Sequence, residues 1–328
     1  MNILYTLNDG FVPQVGAAIA SVCENNKKVK DIHFYLLSYG ILEDNKKKLK
    51  KLVKRYKRKI DIIEIDDLSK YFTFDFDTGG WNQVILLRLL MGEILPKDVI
   101  RIIYMDGDTI VRGDLRSLWN TDLKGNVLGM SIEPTIDKNR IASLDIEGYP
   151  YYNSGVLLVD LKKWRDTNAT QRIFNYYREH EGNLFAADQD AINGTLKDEI
   201  MTISPKYNFY NIFTQYSYRF LKKQMKPLNY ISKDVFDDAL KNPVIIHYLG
   251  EERPWRKGNT HKYRKDYQKY LALTDWKDTP LEEGWRLYFI CWKIFNVVTK
   301  PFPGLRLKII NSLIPTFMKF RKRQLNKK

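Results

Sequence analysis

Hydrophobic and polar positions follow two rhythms along this chain. Short apolar runs at 3–7, 32–37 and 60–65 read as strands, separated by stretches with helical spacing. The first run breaks at Asn8-Asp9-Gly10, a turn signal, and the small residues Gly16, Ala17, Ala18 and Ala20 then predict a helix over 12–23. In the lysine-rich stretch 42–59, Leu42, Leu49, Leu52, Val53 and Tyr56 recur at helical spacing. Its positive charge is therefore read as the solvated face of an amphipathic helix rather than as a nucleic-acid patch. Strand and helix in alternation predict an α/β fold with a mostly parallel sheet covered on both faces. No Gly-x-Gly-x-x-Gly and no Walker loop is present, so neither the dinucleotide fingerprint nor the P-loop applies.

The stretch 81–93 predicts an apolar helix with Arg88 embedded in it, a residue that either snorkels or meets an anion. The run Arg101-Ile102-Ile103-Tyr104-Met105-Asp106-Gly107-Asp108-Thr109-Ile110-Val111 follows. On an extended backbone Asp106 and Asp108 project to the same side, at the end of a buried strand. Two anionic oxygen ligands at such an end suit a hard divalent cation, especially one that also holds a phosphate. The same triplet pattern occurs at Asp75-Phe76-Asp77 and Asp188-Gln189-Asp190, so the pattern alone does not select the site; the hydrophobic lead-in favours Asp106 and Asp108. Residues 113–119 predict a turn and short helix, and 127–132 another strand. Asn153-Ser154-Gly155 precedes the apolar run 156–159 and reads as an ordinary turn or as a close approach of backbone to ligand. A helix with an acidic N-terminus starts near Ala187-Asp188-Gln189-Asp190, and a strand over 244–248 ends at His247.

Composition adds bounds. The 328 residues, 44% hydrophobic and 13% aromatic, belong to a globular chain with ample length for a core. Two cysteines, Cys23 and Cys291, argue against a disulfide framework and for a reduced compartment. The N-terminus lacks the pattern of a signal peptide and reads as a first strand, so a cytoplasmic location is expected. Net charge is +15, but residues 284–328 contain eleven Lys and Arg and no Asp or Glu, leaving +4 on the first 283. That basic segment is also rich in Trp, Tyr, Phe, Leu and Ile, and has no window of about 18 uncharged apolar residues for a spanning helix. It predicts an amphipathic helix on an anionic membrane surface, in preference to packing on the body or to nucleic-acid binding. The expected division is a catalytic domain over 1–280 and a membrane-association segment over 281–328.

Taken in order, these pieces resemble glycosyltransferase family 8, which includes bacterial lipooligosaccharide galactosyltransferases and glycogenin. The resemblance runs from residue 2 to about 255. It rests on Asp106-Gly107-Asp108, Asn153-Ser154-Gly155, Asp188-Gln189-Asp190, and His247-Tyr248-Leu249-Gly250-Glu251-Glu252-Arg253-Pro254-Trp255, which resembles the family's His-x-x-Gly-x-x-Lys-Pro-Trp. The resemblance implies a single nucleotide-binding domain of Rossmann-like, GT-A type, a UDP-hexose donor, Mn2+ or Mg2+, and transfer with retention at the anomeric carbon. It also implies roles: Asp106, Asp108 and His247 hold the metal, while Gly250 and Arg253 face the diphosphate. Arg88 reaches the donor, and Thr6 and Asn8 lie near the uridine. Asn153, Asp188 and Gln189 line the sugar and reaction centre, and Gly107, Glu133 and Ser154 complete the donor-binding set. The implied acceptor is a glycan or lipid-linked glycan of the bacterial surface, met at the inner face of the plasma membrane, with no nucleic-acid partner.

Four positions depart from the family's pattern. Arg253 replaces the usual Lys, Asn8 stands where Asp is frequent, and Leu86 occupies a common Tyr position. Glu133 stands where galactosyltransferases carry an Asp that touches the sugar, which leaves glucose versus galactose open. Gln189, an amide, is a poor nucleophile, so retention is expected through attack on the leaving-group side rather than through a covalent adduct. The rival readings are a non-catalytic basic membrane- or nucleic-acid-binding protein on the same fold, and a nucleotidyltransferase, which would release pyrophosphate.

Overall fold

The structure, a computed structural model, describes residues 1–72, 78, 82–225 and 231–325. The Asp75-Phe76-Asp77 triplet, Trp81 and the side chains of Arg321-Lys322-Arg323 lie outside the described residues. The strands are β1 (Asn2–Asn8), β2 (His33–Tyr39), β3 (Lys59–Glu64), β4 (Arg101–Met105), β5 (Thr109–Val111), β6 (Leu128–Ile132), β7 (Tyr152–Asp160), β8 (Ile200–Ile203) and β9 (Ile245–His247). Seven form one sheet in the order β3-β2-β1-β4-β7-β6-β8, and β5 pairs with β9 in a second, two-stranded sheet. In the large sheet β7 runs antiparallel to both neighbours, β4 and β6, while the other pairs are parallel.

Both faces of the large sheet are covered, which is why its central strands read as unbroken apolar runs. Ile3, Tyr5, Leu7, Ile103 and Met105 face the helix Val12–Asn25 and one hydrophobic cluster. Leu4, Leu37, Ile102 and Tyr104 face Leu86–Met91, Trp164 and a second cluster. The lysine-rich stretch forms the helix Glu43–Arg55, which buries Leu49, Leu52 and Val53 and leaves most of its lysines on the outer side.

Three elements differ from expectation in ways that shape the site. The strand expected to carry Asp106 and Asp108 on its extended end stops at Met105; Asp106-Gly107-Asp108 is a turn, and the chain crosses into the second sheet, where Thr109 faces His247. The crossing is pinned at both ends, since Asp106 N donates to Gly155 O at 2.8 Å and Tyr248 N to Asp108 O at 2.9 Å. Asn153-Ser154-Gly155 lies inside β7 rather than before a strand. There Met130 of β6 faces Leu157 while the next residue, Ser131, faces Asn153, so Ser154, Gly155 and Val156 bulge out of that ladder. The expected helix over 81–93 is a 3-10 helix, Gln83–Leu90, followed by one α-helical turn, Met91–Ile94. Three residues per turn align Asn82, Ile85 and Arg88 in one row, and all three line the same cleft.

The C-terminal segment forms two helices, Arg286–Thr299 and Pro303–Leu325. Among the described residues no helix is long and apolar enough to cross a membrane.

Candidate active site

The site lies where the β4 end, the β7 bulge and the β9 end meet. Asp106, Asp108 and His247 each offer a ligand atom, all within 4.8 Å of one another. The two carboxylates converge because the turn carries them across from one sheet to the other, not because side chains alternate on one strand. Gly107 is needed at this crossing, since a Cβ there would lie 2.9 Å from both Phe11 and Val15. Gly155 is needed more strictly, since its Cβ would lie 2.2 Å from the His247 ring. The triplet read from sequence as a turn or close approach is thus the space that His247 fills.

Cations surround the two carboxylates. Arg88, 4% exposed, places Nη2 2.8 Å from Asp106 Oδ1 and Nε 3.2 Å from Asp188 Oδ2. Its Nη1 donates to Ser154 O at 3.0 Å, and its guanidinium lies 4.4 Å from the Tyr104 ring centre. Tyr104 OH donates to Asp106 Oδ1 at 2.6 Å. The other Asp106 oxygen, Oδ2, stands 3.7 Å from His247 Nε2, and Asp108 Oδ1 stands 3.3 Å from that nitrogen. Arg253 Nη2 is 3.6 Å from Asp108 Oδ2, while its Nε is buried without a hydrogen-bond partner among the described residues.

Burial works against charge on Asp108, but His247 and Arg253 outweigh it and hold the carboxyl below its ordinary value. Burial likewise works against the imidazolium, yet Asp108 and Asp106 lift His247 above its ordinary value. Without a metal, a protonated His247 therefore helps to neutralise the pair. A divalent cation would displace that proton and meet a neutral Nε2. Asn208, fully buried, prepares this arrangement by bonding His247 Nδ1 through its Oδ1 at 2.9 Å. Its Nδ2 donates to Asn153 Oδ1 at 2.8 Å, which assigns the carbonyl to the histidine, fixes Nδ1 as the donor and turns Nε2 toward the carboxylates.

On the opposite wall, the helix Ala187–Leu196 begins with Ala187 at φ +40°, in the left-handed region. Asp188 and Gln189 then both meet the β7 bulge: Ser154 Oγ donates to Asp188 Oδ2 at 3.1 Å and Ser154 N to Gln189 Oε1 at 3.1 Å. Gln189 Nε2 donates to Tyr151 OH at 2.9 Å, which fixes the amide orientation. Asp190 turns away. It is 1% exposed and accepts from Tyr151 OH at 2.6 Å, from Arg140 Nη2 at 2.6 Å and from Ala186 N at 2.7 Å. Saturated by donors, it is no nucleophile for the cleft.

The cleft has a volume of about 250 Å³, and every residue expected to hold the metal, the donor or the reaction centre lines it except Glu133. Glu133 lies behind Asn153, accepting from its Nδ2 at 3.3 Å, from Tyr210 OH at 2.9 Å and from Thr135 Oγ1 at 2.8 Å. Burial raises its pKa against those three bonds. Glu133, expected in the donor-binding set, is thus not on the cleft wall and is joined to it through Asn153. Sequence reasoning missed Asn208, Tyr151, Arg140 and Tyr210, whose partners are far away in the chain. Tyr104 was legible, since it precedes Asp106 by two positions on a strand.

Comparison with known proteins agrees with this geometry. The model of the family "Glycosyl transferase family 8" matches residues 2–259. General stress protein A of Bacillus subtilis (strain 168) is 26% identical over 280 residues, covering 84% of this chain and 94% of that protein. The lipopolysaccharide 1,2-glucosyltransferase of Escherichia coli (strain K12) is 27% identical over 282 residues, covering 85% and 79%. Among solved structures, the galactosyltransferase LgtC in complex with donor and acceptor sugar analogs superimposes with a TM-score of 0.71. It is 24% identical, over 87% of this chain and 99% of that one, a likeness of fold.

The Asp188 carboxyl makes the site's electrostatics measurable. Burial, opposed by Arg88 and reinforced by Asp106, pushes it up from the ordinary 3.8 to about 6. A folded-state pKa above the unfolded one gives stability that is fully present below about pH 4 and lost as pH rises through about 6, on the order of 3 kcal/mol at most. Urea unfolding in EDTA from pH 4 to 7.5 is therefore expected to show Asp188→Asn gaining on the wild type as pH rises. Parallel curves would contradict this.

Proposed function

The chain belongs to glycosyltransferase family 8, and we propose that it transfers glucose or galactose from a UDP-sugar to a glycan or glycolipid acceptor in bacterial surface polysaccharide synthesis, with retention at the anomeric carbon. The observation that carries this reading is the convergence of Asp106, Asp108 and His247 beside Arg88 and Arg253 in one cleft.

Two carboxylates and an imidazole whose Nε2 is turned toward them make a donor set suited to Mn2+ or Mg2+, with coordination left for phosphate oxygens. Bound there by Asp106, Asp108 and His247, the cation would act as a Lewis acid on the departing diphosphate. The rest falls to the protein's own groups. Arg253, whose Nη2 stands 3.6 Å from Asp108 Oδ2 on the cleft wall, would turn its guanidinium to the diphosphate, beside Gly250, whose φ of +77° and open Cβ position let backbone approach the ligand. Thr6 and Asn8 line the same cleft, and they are the residues proposed to lie near the uridine. Arg88 holds Asp106 and Asp188 together, so it orders the metal side and the sugar side at once. Asn153, Ser154, Asp188 and Gln189 face the hexose.

The favoured route is attack by the acceptor hydroxyl on the leaving-group side of the sugar. The hydroxyl proton passes to a β-phosphate oxygen, and the Gln189 carbonyl faces the positive charge that develops on the sugar. Asp190 is occupied by Arg140 and Tyr151, and Asp188 by Arg88 and Ser154, so neither carboxylate is free to form an adduct.

The basic C-terminal segment is proposed as a membrane-surface element, which would place the enzyme at the inner face of the plasma membrane. Leu287, Ile290, Ile294, Val297 and Val298 are all exposed and lie on one face of the helix Arg286–Thr299, in a segment with eleven cations and no acidic residue.

A panel of UDP-sugars with Mn2+ and with a chelator tests the enzyme reading. Metal-dependent release of UDP from UDP-glucose or UDP-galactose is expected, lowered about 10²–10³-fold in kcat/KM by Asp108→Asn. Turnover of no donor would sink the reading, release of pyrophosphate would assign a nucleotidyltransferase, and a sugar adduct on Asp188 in the intact-protein mass would overturn the same-face route. For the membrane element, the full chain is expected to sediment with phosphatidylglycerol vesicles, and the double variant Ile290→Asp, Ile294→Asp to bind at least about tenfold more weakly. Equal sedimentation of the two would contradict the assignment.

A further inference from the structure

The turn that carries Gly250 and Arg253 is braced from behind by residues outside the cleft. Arg256 is 7% exposed and absent from the cleft wall. Its Nη1 donates to Glu251 O at 3.0 Å and also pairs with the Glu251 carboxylate. These bonds close a short loop with Arg253 inside it, and Arg253 N donates to the same Glu251 carbonyl at 2.8 Å. The rest of Arg256 reaches the C-terminal segment. Its Nε donates to Glu282 Oε2 at 3.0 Å, and its guanidinium stacks 3.5 Å from the centre of the Trp285 ring. Two backbone bonds reinforce the contact, Lys257 N to Glu282 O and Glu282 N to Trp255 O, both 2.9 Å. At Gly258, with φ of +92°, an added Cβ would lie 3.1 Å from Arg286 Cα, so the helix Arg286–Thr299 starts directly against the turn.

The other flank is held as well. Glu252 accepts from Asn211 Nδ2, and from Gln215 Nε2 at 3.3 Å. Arg306 of the last helix, 3% exposed, sits among the Tyr216, Trp292 and Phe295 rings, where its charge acts on Glu252. A cation on a turn binds a diphosphate tightly only if the turn is already ordered before the ligand arrives. The side-chain polar contacts described behind this turn come from Arg256 and Glu252, and those of Arg256 lead into the C-terminal segment.

We propose that Arg256 is a positioning residue for the diphosphate-binding turn, and that through Glu282 and Trp285 the C-terminal segment is part of the donor site rather than a detachable tail. This rests on the UDP-sugar reading of the cleft, and it joins the segment expected to begin at residue 281 to the function of the domain before it.

The experiment measures inhibition constants of UDP and of uridine, with KM and kcat for the sugar donor, in the full-length wild type, Arg256→Gln and Glu282→Ala. UDP is expected to bind about tenfold more weakly to Arg256→Gln and about threefold more weakly to Glu282→Ala, with KM rising in step, kcat nearly unchanged and uridine unaffected. Glu282→Ala carries the decisive sign. It removes a negative charge, so a simple charge effect would tighten UDP, whereas loss of positioning weakens it. Glu282 is exposed, and its variant decides the matter even if Arg256→Gln yields no folded protein. Unchanged or tighter UDP binding in Glu282→Ala, or equal weakening of UDP and uridine, overturns the proposal. A wild type that binds no UDP overturns the UDP-sugar reading itself.

Discussion

Two carboxylates held in one small space repel one another, and much of the cleft answers that repulsion. At about 4 Å and an effective dielectric of about 20, a pair of unit charges interacts with roughly 4 kcal/mol. Three cationic groups offset it, each from a different part of the chain: Arg88 from the 3-10 row, His247 from β9 and Arg253 from the turn beyond it. With Asp188, which shares Arg88 with Asp106, counted as a third carboxylate, the opposite charges of the cleft are close to balanced. A divalent cation can enter by displacing one proton, and the guanidinium of Arg253 remains to meet phosphate. Removing any one of these cations would leave a buried charge uncompensated, a far larger cost than losing a surface ion pair.

The fold serves this arrangement through crossings and gaps. Asp106 and Asp108 face His247 because the chain leaves the large sheet between them and re-pairs in the small one. Gly107 lets that crossing pass beneath Phe11 and Val15, and Gly155 opens the space for the His247 ring. The bulge that contains Gly155 also presents Ser154 to Asp188, Gln189 and Arg88. Metal side and sugar side thus share one strand of backbone, and a shift in either is felt by the other. Glu133 and Asn208 extend the coupling behind Asn153, one layer away from the cleft.

Much of this was legible in the order of residues. Buried strands announce themselves by unbroken apolar runs, so β1, β2, β3 and β6 were placed within a residue or two, and β4 was placed at its start. The motifs around Asp106, Asn153, Asp188 and His247 pointed to one cleft, because family resemblance supplied the long-range joins that spacing could not. Local patterns failed where tertiary contacts decide. Apolar runs on both sides of Asp106-Gly107-Asp108 cannot reveal a change of sheet between them, and a Gly-containing triplet looks like a turn until its bulge is seen to face a histidine. Asn208 carries no local mark at all; its bonds to His247 and Asn153, both far away in the chain, give it a role. The C-terminal segment was read by composition as a surface element. Composition cannot show that one side of it, through Trp285 and Arg306, packs against the turn that holds Arg253.

The most direct test of the metal-centred reading is Mn2+ binding to the full-length protein, followed by electron paramagnetic resonance with and without UDP, in the wild type and in His247→Ala. One high-affinity Mn2+ site is expected in the wild type, tightened by UDP. In His247→Ala that site should weaken about 10–100-fold while circular dichroism stays unchanged, a loss at least of the size seen when only the groups behind a metal ligand are removed. Equal Mn2+ affinity in both proteins, or binding indifferent to UDP, would contradict the assignment of Asp106, Asp108 and His247 as the centre that holds the donor diphosphate.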